Sequence, residues 1–272
     1  MSYAPVIPAS GYAGWLFLKR TMATQQTVFE KGEDRQRDET YFREKIGGIT
    51  SAEALVADKR LLRVALGAFG LQADLGNGYF IRKVLEDGTL NTGALANKLS
   101  NKQYMAFSAA FGFGDFNTPR TKLSTFAAEI LEKYRDRSFE AAVGEVNGDM
   151  RVALHAEREL GTLAASSLSE DGKWFTVMGA PPLRKLFETA FGLPSSFGAL
   201  DIDRQLAVLK EKAQAFGDGT MSQFARAEVQ EKLIRQFLVR AELAGGAAAP
   251  GRAAGALQIL QAGQSRWKAL RR

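Results

Sequence analysis

Apolar residues recur every three or four positions along most of this chain, the period of a helix with one buried face, and run after run stops at glycine. Leu61, Leu62, Ala65, Leu66 and Phe69 keep that spacing up to Gly70. The same phrase, Ala-Phe-Gly and then an apolar residue, closes three runs. It reads Ala68-Phe69-Gly70-Leu71, Ala110-Phe111-Gly112-Phe113 and Ala190-Phe191-Gly192-Leu193, with a weaker echo at Ala215-Phe216-Gly217-Asp218. A glycine directly after a helix takes the left-handed conformation, so the last carbonyls find donors and the next apolar residue folds back onto the helix. Gly70, Gly112 and Gly192 are therefore read as structural helix stops.

Polar residues mark the starts. Ser10 reads as the cap of a helix through Trp15, Leu18 and Met22 towards Phe29, and the mixed charges from Glu30 to Lys45 as a solvated helix ended by Gly47-Gly48. Thr50 and Glu53 have capping-box spacing, Asp58 caps the next helix, and Ser100 caps the one carrying Tyr104, Phe107 and Phe111. Thr118-Pro119 signals a helix start, and the region 119–163 reads as one long helix or two with a bend near Gly144 to Gly148, since glycine costs about 1 kcal/mol in a helix interior. Trp174 to Met178 is strand-like but short and isolated, which favours a helix end or loop. Pro181-Pro182 opens the helix to Gly192, Asp201 or Asp203 caps the following one, and Thr220 precedes a long amphipathic helix through Phe224, Leu233 and Phe237.

The fold class is therefore all-α, a multi-helix bundle. Leu61 to Leu71 aligns with Leu183 to Leu193, which leaves two readings open: two related helical halves, 10–118 and 164–243, joined by the long central helices, or a common cap used twice. Residues 1–9 read as an amino-terminal extension and 10–243 as the helical domain. Residues 244–272 read as a flexible basic tail, whose Leu257, Ile259, Leu260, Trp267 and Leu270 could form a short terminal helix.

A chain of 272 residues that is 46% apolar fills a core without needing disulfides or metal. The absence of Cys excludes disulfides, thiolate nucleophiles and Cys-ligated zinc. The formal charge of +6 is mostly local: residues 245–272 hold Arg252, Arg266, Lys268, Arg271 and Arg272 and no acid, so the remainder carries only +1. A nearly neutral body argues against nucleic acid as a partner. No stretch approaches the roughly 18–20 apolar residues of a membrane span, and Pro5 and Pro8 interrupt an amino terminus without a basic cluster. The expectation is no transmembrane segment and no cleavable signal peptide, in a protein that is cytoplasmic or exported by a signal-independent route.

Candidate chemistry is sparse. His155, the only histidine, lies among Glu157, Arg158 and Glu159 and reads as a surface helix residue; one histidine cannot build a multi-histidine metal site. The glycine-rich turns lack the lysine and flanking strand of a phosphate loop. No catalytic residue, cofactor or metal is expected. Two segments read as contact surfaces: Tyr12, Trp15 and Phe17 near the amino terminus, unless that helix is simply docked on the core, and Arg266, Trp267, Lys268 and Arg271 in the tail, unless the tail only solubilises.

The run Ser51-Ala52-Glu53-Ala54-Leu55-Val56-Ala57-Asp58-Lys59-Arg60-Leu61-Leu62, continuing to Leu71, resembles the bacterial family catalogued as domain of unknown function 1217. Phe80 to Glu86, Leu95 to Ser100, and Pro181 to Lys185 leading into Ala190 to Leu193 carry the same resemblance, which spans roughly residues 10 to 243. That family has no established reaction, so the resemblance implies no catalytic residues. Its members are often encoded among flagellar genes of alphaproteobacteria. The resemblance therefore implies a non-enzymatic assembly factor or exported or structural component of the flagellar apparatus, with protein partners and with homo-oligomerisation left open. An enzyme or ligand-binding protein using a cleft between two halves, with Arg63, Lys185 or His155 as polar groups, is the alternative. A further alternative is a peripheral membrane or nucleic-acid binder acting through the tail.

Overall fold

Short polar side chains set where the helices begin. In the structure, a computed structural model that describes residues 3–248, Ser51 accepts from the Ala54 amide and starts a helix one residue later than Thr50 would have done. Asp58 accepts from both Arg60 and Leu61, as expected, and Asp201 from Arg204. The helices are α1 (Gly11–Glu30), α2 (Glu33–Lys45), α3 (Ala52–Ala57), α4 (Lys59–Ala68), α5 (Gly78–Asp87), α6 (Leu95–Lys98) and α7 (Gln103–Phe111). They continue as α8 (Phe126–Val146), α9 (Gly148–Ala165), α10 (Glu170–Gly179), α11 (Pro181–Phe191), α12 (Ile202–Ala213) and α13 (Ala227–Ala248). Among the described residues there is no strand, and the fold is all-α. Trp174 to Met178 lies within α10.

The predicted stops are built as expected. Gly70 and Gly192 have φ of +72° and +67°. At the first, Leu71 N–H donates to the Leu66 carbonyl at 2.9 Å and Gly70 N–H to Gly67 at 3.2 Å; at the second, Leu193 donates to Glu188 at 2.9 Å and Gly192 to Thr189 at 3.0 Å. Both are the paired-bond helix stop. Gly112 uses the single-bond variant, donating to Ser108 at 2.8 Å. The echo at Gly217 is different: its φ of 165° is extended, after a 3-10 turn.

Four expectations are corrected. Thr118-Pro119 launches only a 3-10 turn, because Pro119 is extended and buried Thr121 donates to the Ile49 carbonyl at 2.7 Å; α8 starts at Phe126. Ser100 does not cap α7, which Asn101 serves by accepting from Gln103 at 3.0 Å. The central region 119–163 is two helices broken inside the expected stretch, at Asn147, but they fold into a hairpin and not a bend. Extended Asn147 ends α8 and caps α9 by accepting from Asp149 and Met150, and α9 runs back along α8. Finally, α13 continues to Ala248, so residues 244–248 are helical and not linker; Arg266, Trp267, Lys268, Arg271 and the proposed terminal helix lie outside the described residues.

Two apolar cores result. One gathers Phe42, Leu62, Leu66, Phe69, Ile81, Phe107 and Phe111 from α2 to α7 with Phe126 and Ile130 at the start of α8. The other gathers Phe139 and Val143 from the end of α8 with Trp174, Phe187, Phe224 and Phe237 from α10 onward. The first helix joins the second core: Trp15 and Leu18 are fully buried there, and Tyr12 Oη donates to Glu231 of α13 at 2.8 Å. Consecutive segments 10–118 and 164–243 therefore do not correspond to the two cores.

The second lobe is tied by buried Lys173, whose ammonium donates to the Ala164 carbonyl (2.9 Å), Glu170 (3.0 Å) and Ser222 Oγ (2.7 Å), using all three protons. Glu170 also accepts from the Met221 amide at 2.7 Å. Burial alone would raise its pKa, but the donors from Ser222, Lys173 and Met221 bring it down to about 2. A carboxyl depressed on folding contributes stability above its unfolded pKa of 4.5, and that contribution disappears as pH falls through about 2. Glu170→Gln should cost about 1–2 kcal/mol at neutral pH, allowing for partial exposure. Its melting-temperature deficit should shrink between pH 4.5 and 2; a deficit independent of pH would refute this.

Gly67 tests the packing of α4 on α8. A Cβ there would lie 2.7 Å from the Tyr134 ring. Gly67→Ala should destabilise by about 1–2 kcal/mol, because overpacking a buried contact outweighs alanine's helix preference; a raised urea midpoint would contradict that packing.

Candidate interlobe cleft

Between Leu131, in the first core, and Phe139, in the second, α8 presents Glu132, Lys133, Arg135, Asp136 and Arg137. This polar midsection cannot be buried in either core, so the lobes part there. On one side Arg135 Nε donates to both carboxylate oxygens of Glu39 on α2 at 3.0 Å. On the other, Arg137 donates to Gln103 of α7 and Glu159 of α9, both at 3.1 Å, bridging the lobes beneath a cleft.

The cleft has two compartments that share Asn101, Gln103, His155 and Ala180. The more polar one, of about 480 Å³, lies between Gly70, Arg137, Glu140, Arg151, Pro182 and Lys185. An apolar one of about 470 Å³ lies between Met105 and Ala106 of α7, Leu163 of α9, Phe175 of α10 and Leu183 of α11. Both fall in the range of about 300–1,000 Å³ typical of binding pockets. A further hollow of 580 Å³ beside Arg37, Tyr41 and Arg60 is an open face of α2.

His155 is not the surface residue its sequence neighbours suggest. It is buried, because α9 folds back on α8 and turns this position onto Glu140. Arg158 Nη2 lies 3.0 Å from His155 Nδ1. A guanidinium has donors and no acceptor, so in the neutral ring Nδ1 accepts and the proton sits on Nε2; the same Nδ1 lies 3.6 Å from Glu140 Oε1. The same Arg158 pairs with Glu140 and, at 3.2 Å, with Glu159. Burial would raise the Glu140 pKa, but the side chains packed on it, His155 and Arg158 foremost, hold it below the ordinary value. Arg137 is pushed down from its ordinary value, first by burial and then by the charge of Arg158.

Of the polar groups named for a cleft, His155 and Lys185 line the same compartment, while Arg63 does not: its side chain is half exposed, 3.6 Å from Asp38. Lys185 is paired with Asp149 at 2.8 Å. Among the candidate contact residues, Trp15 is fully buried, and Tyr12 and Phe17 are half-buried on α1, so the amino-terminal helix is docked on the core. Among the described residues no three His, Asp or Glu side chains converge to hold a metal, and no helix is long and apolar enough to cross a membrane. Of the cleft's residues the sequence points to His155 and Lys185 but not to Met105, Arg137, Arg151 or Phe175; the Asn147-Gly148 turn signal, which creates the hairpin, is the clue to them.

An all-α protein of two cores with a polar-to-apolar cleft at its waist is the class defined here. The model of the family described as protein of unknown function (DUF1217) matches residues 68–229, and the chain belongs to that family. The fold is similar to the X-ray crystal structure of a protein from Agrobacterium tumefaciens, at 25% identity and a TM-score of 0.71, covering 88% of this chain and 98% of that one. Comparison with curated proteins finds no match.

With only one histidine in the chain, its ring ¹⁵N spectrum is unambiguous. In mildly alkaline solution Nε2 should carry the proton and Nδ1 none, and Arg158→Leu should erode that preference. A ring protonated at Nδ1 in the wild type would overturn the arrangement.

Proposed function

We propose that this protein acts without catalysing a reaction, as an assembly factor or exported or structural component of the flagellar apparatus that works by holding another protein. The flagellar setting rests on what the family resemblance implies. The observation that carries the binding role is the interlobe cleft, where the apolar helix α7 leaves Met105 in water, 38% exposed and opposite Phe175, itself 38% exposed. Apolar surface facing itself across a groove is a binding surface more often than a stable end state. The non-catalytic reading is supported by the setting of His155, whose Nδ1 is held between the Arg158 guanidinium at 3.0 Å and Glu140 at 3.6 Å instead of pointing free into the cleft.

The alternative of a small-molecule site in the same cleft has one observation in its favour, the meeting of His155 and Lys185 in one compartment. A screen of small anionic metabolites by thermal shift separates the two readings, because a small ligand would raise the melting temperature without any protein partner.

Epitope-tagged protein should co-fractionate with flagellar basal structures in the source bacterium, and its deletion should impair motility. If it is exported, its appearance outside the cytoplasm should cease in a strain defective in flagellar export, whereas an assembly factor should stay inside and still retain flagellar partners. Normal motility with no flagellar partner would sink the proposal.

A further inference from the structure

The two compartments of the cleft differ in chemistry, and the difference describes what would fill them. Helix α7 has no charged side chain from Gln103 to Phe111, so it is apolar on its outer as well as its inner face. Phe107 and Phe111 serve the first core, while Met105 and Ala106 face the apolar compartment with Phe175 opposite. One end of the groove thus offers an apolar seat with walls from both lobes.

The other end is short of anions. Arg137, Arg151 and Lys185, with Lys102 at the apolar end, face only Glu140, Glu159 and Asp149, four cations against three carboxylates, and Arg158 draws on Glu140 and Glu159 from outside the cleft. Arg151 is the least satisfied. Its nearest carboxylate oxygen, on Glu140, is 4.0 Å away, and Glu140 is already paired with Arg158. The guanidinium of Arg151 is also half exposed, so it can reach an incoming group without rearrangement of the core. Amide groups of Gln72, Asn101 and Gln103 add neutral hydrogen-bonding capacity along the same wall.

Charge selects among occupants. The chain's own carboxy-terminal segment carries five bases and no acid over residues 245–272 and would add like charge to this end of the groove. A purely polyanionic ligand would leave the Met105–Phe175 seat in water. We propose that the cleft receives a segment of another protein in which an apolar side chain, seated between Met105 and Phe175, is adjoined by carboxylates that meet Arg151, Arg137 and Lys185. This rests on the reading of the protein as a protein-binding component and specifies what it binds.

The test uses full-length protein in the source bacterium, with Met105→benzoylphenylalanine as a photo-cross-linker and the same residue at Tyr79, 83% exposed on α5, as the control. Sequencing of the adducts specific to position 105 should give a segment with acidic residues beside an apolar one. A labelled synthetic peptide of that sequence should bind purified full-length protein in an anisotropy titration. Affinity should fall about tenfold with Arg151→Gln, and similarly when the peptide's acids become amides. Arg151→Gln is chosen because it removes the charge without placing a second carboxylate beside Glu140, and an unchanged melting temperature certifies its fold.

No adduct specific to position 105, an adduct with lipid, nucleic acid, a basic segment or a second copy of this chain, or full affinity in Arg151→Gln would each overturn the assignment. If the assignment fails while the protein still co-fractionates with flagellar structures, only the cleft's occupant is wrong; loss of that association as well removes the functional reading.

Discussion

One helix has to be buried twice. α8 places Phe126, Ile130 and Leu131 in the first core and Phe139 and Val143 in the second, and 21 residues of helix span roughly 30 Å, about the width of a small domain. Between those two apolar stretches run Glu132, Lys133, Arg135, Asp136 and Arg137, which neither core can take in. The chain therefore builds one core at each end of α8 and leaves the charged midsection between them. The relation between the lobes follows from this, since both are fixed to the same rod.

The hairpin with α9 then determines what the waist contains. Asn147 satisfies two amides of α9, and Gly144 has no side chain where Arg151 crosses: a Cβ there would lie 2.5 Å from Arg151 Cδ. Close approach of the two helices takes Glu140 out of water, and a lone buried carboxylate would be strongly destabilising. Arg158 answers that charge and in doing so fixes the ring of His155. The chemistry of the cleft is thus a consequence of how the hairpin satisfies one buried acid.

Local grammar was legible in the sequence wherever a few neighbouring residues decide the outcome. The stops at Gly70, Gly112 and Gly192, the cap at Asp58, the start at Pro181 and the all-α class need only backbone sterics and nearby hydrogen bonds. What could not be read depends on contacts far apart in the chain. The amino-terminal helix belongs to the second core because Trp15 and Tyr12 meet α13, some two hundred residues later. His155 looked solvated because Glu157, Arg158 and Glu159 surround it in sequence, yet the reversal at Asn147 turns its ring onto Glu140 and Arg158. Thr118-Pro119 failed as a helix start for a similar reason, since the hydrogen bond from Thr121 to Ile49 overrides the local signal.

The same division explains why the cleft is a better guide to function than any motif. Residues that cap or pack are accounted for by the fold: each of the three glycine stops ends a helix, and Lys173 and Glu170 spend their charges on one another and on backbone. Met105, Phe175 and Arg151 are not accounted for in this way. Removing their exposure would have been simple, with a polar residue in place of Met105 or a nearer acid for Arg151, because neither position is constrained by a core. Apolar area on both walls of a groove, ending in an under-compensated cation, costs solubility and contributes nothing to either lobe. Surface that weakens the free protein in this way makes physical sense where another molecule covers it.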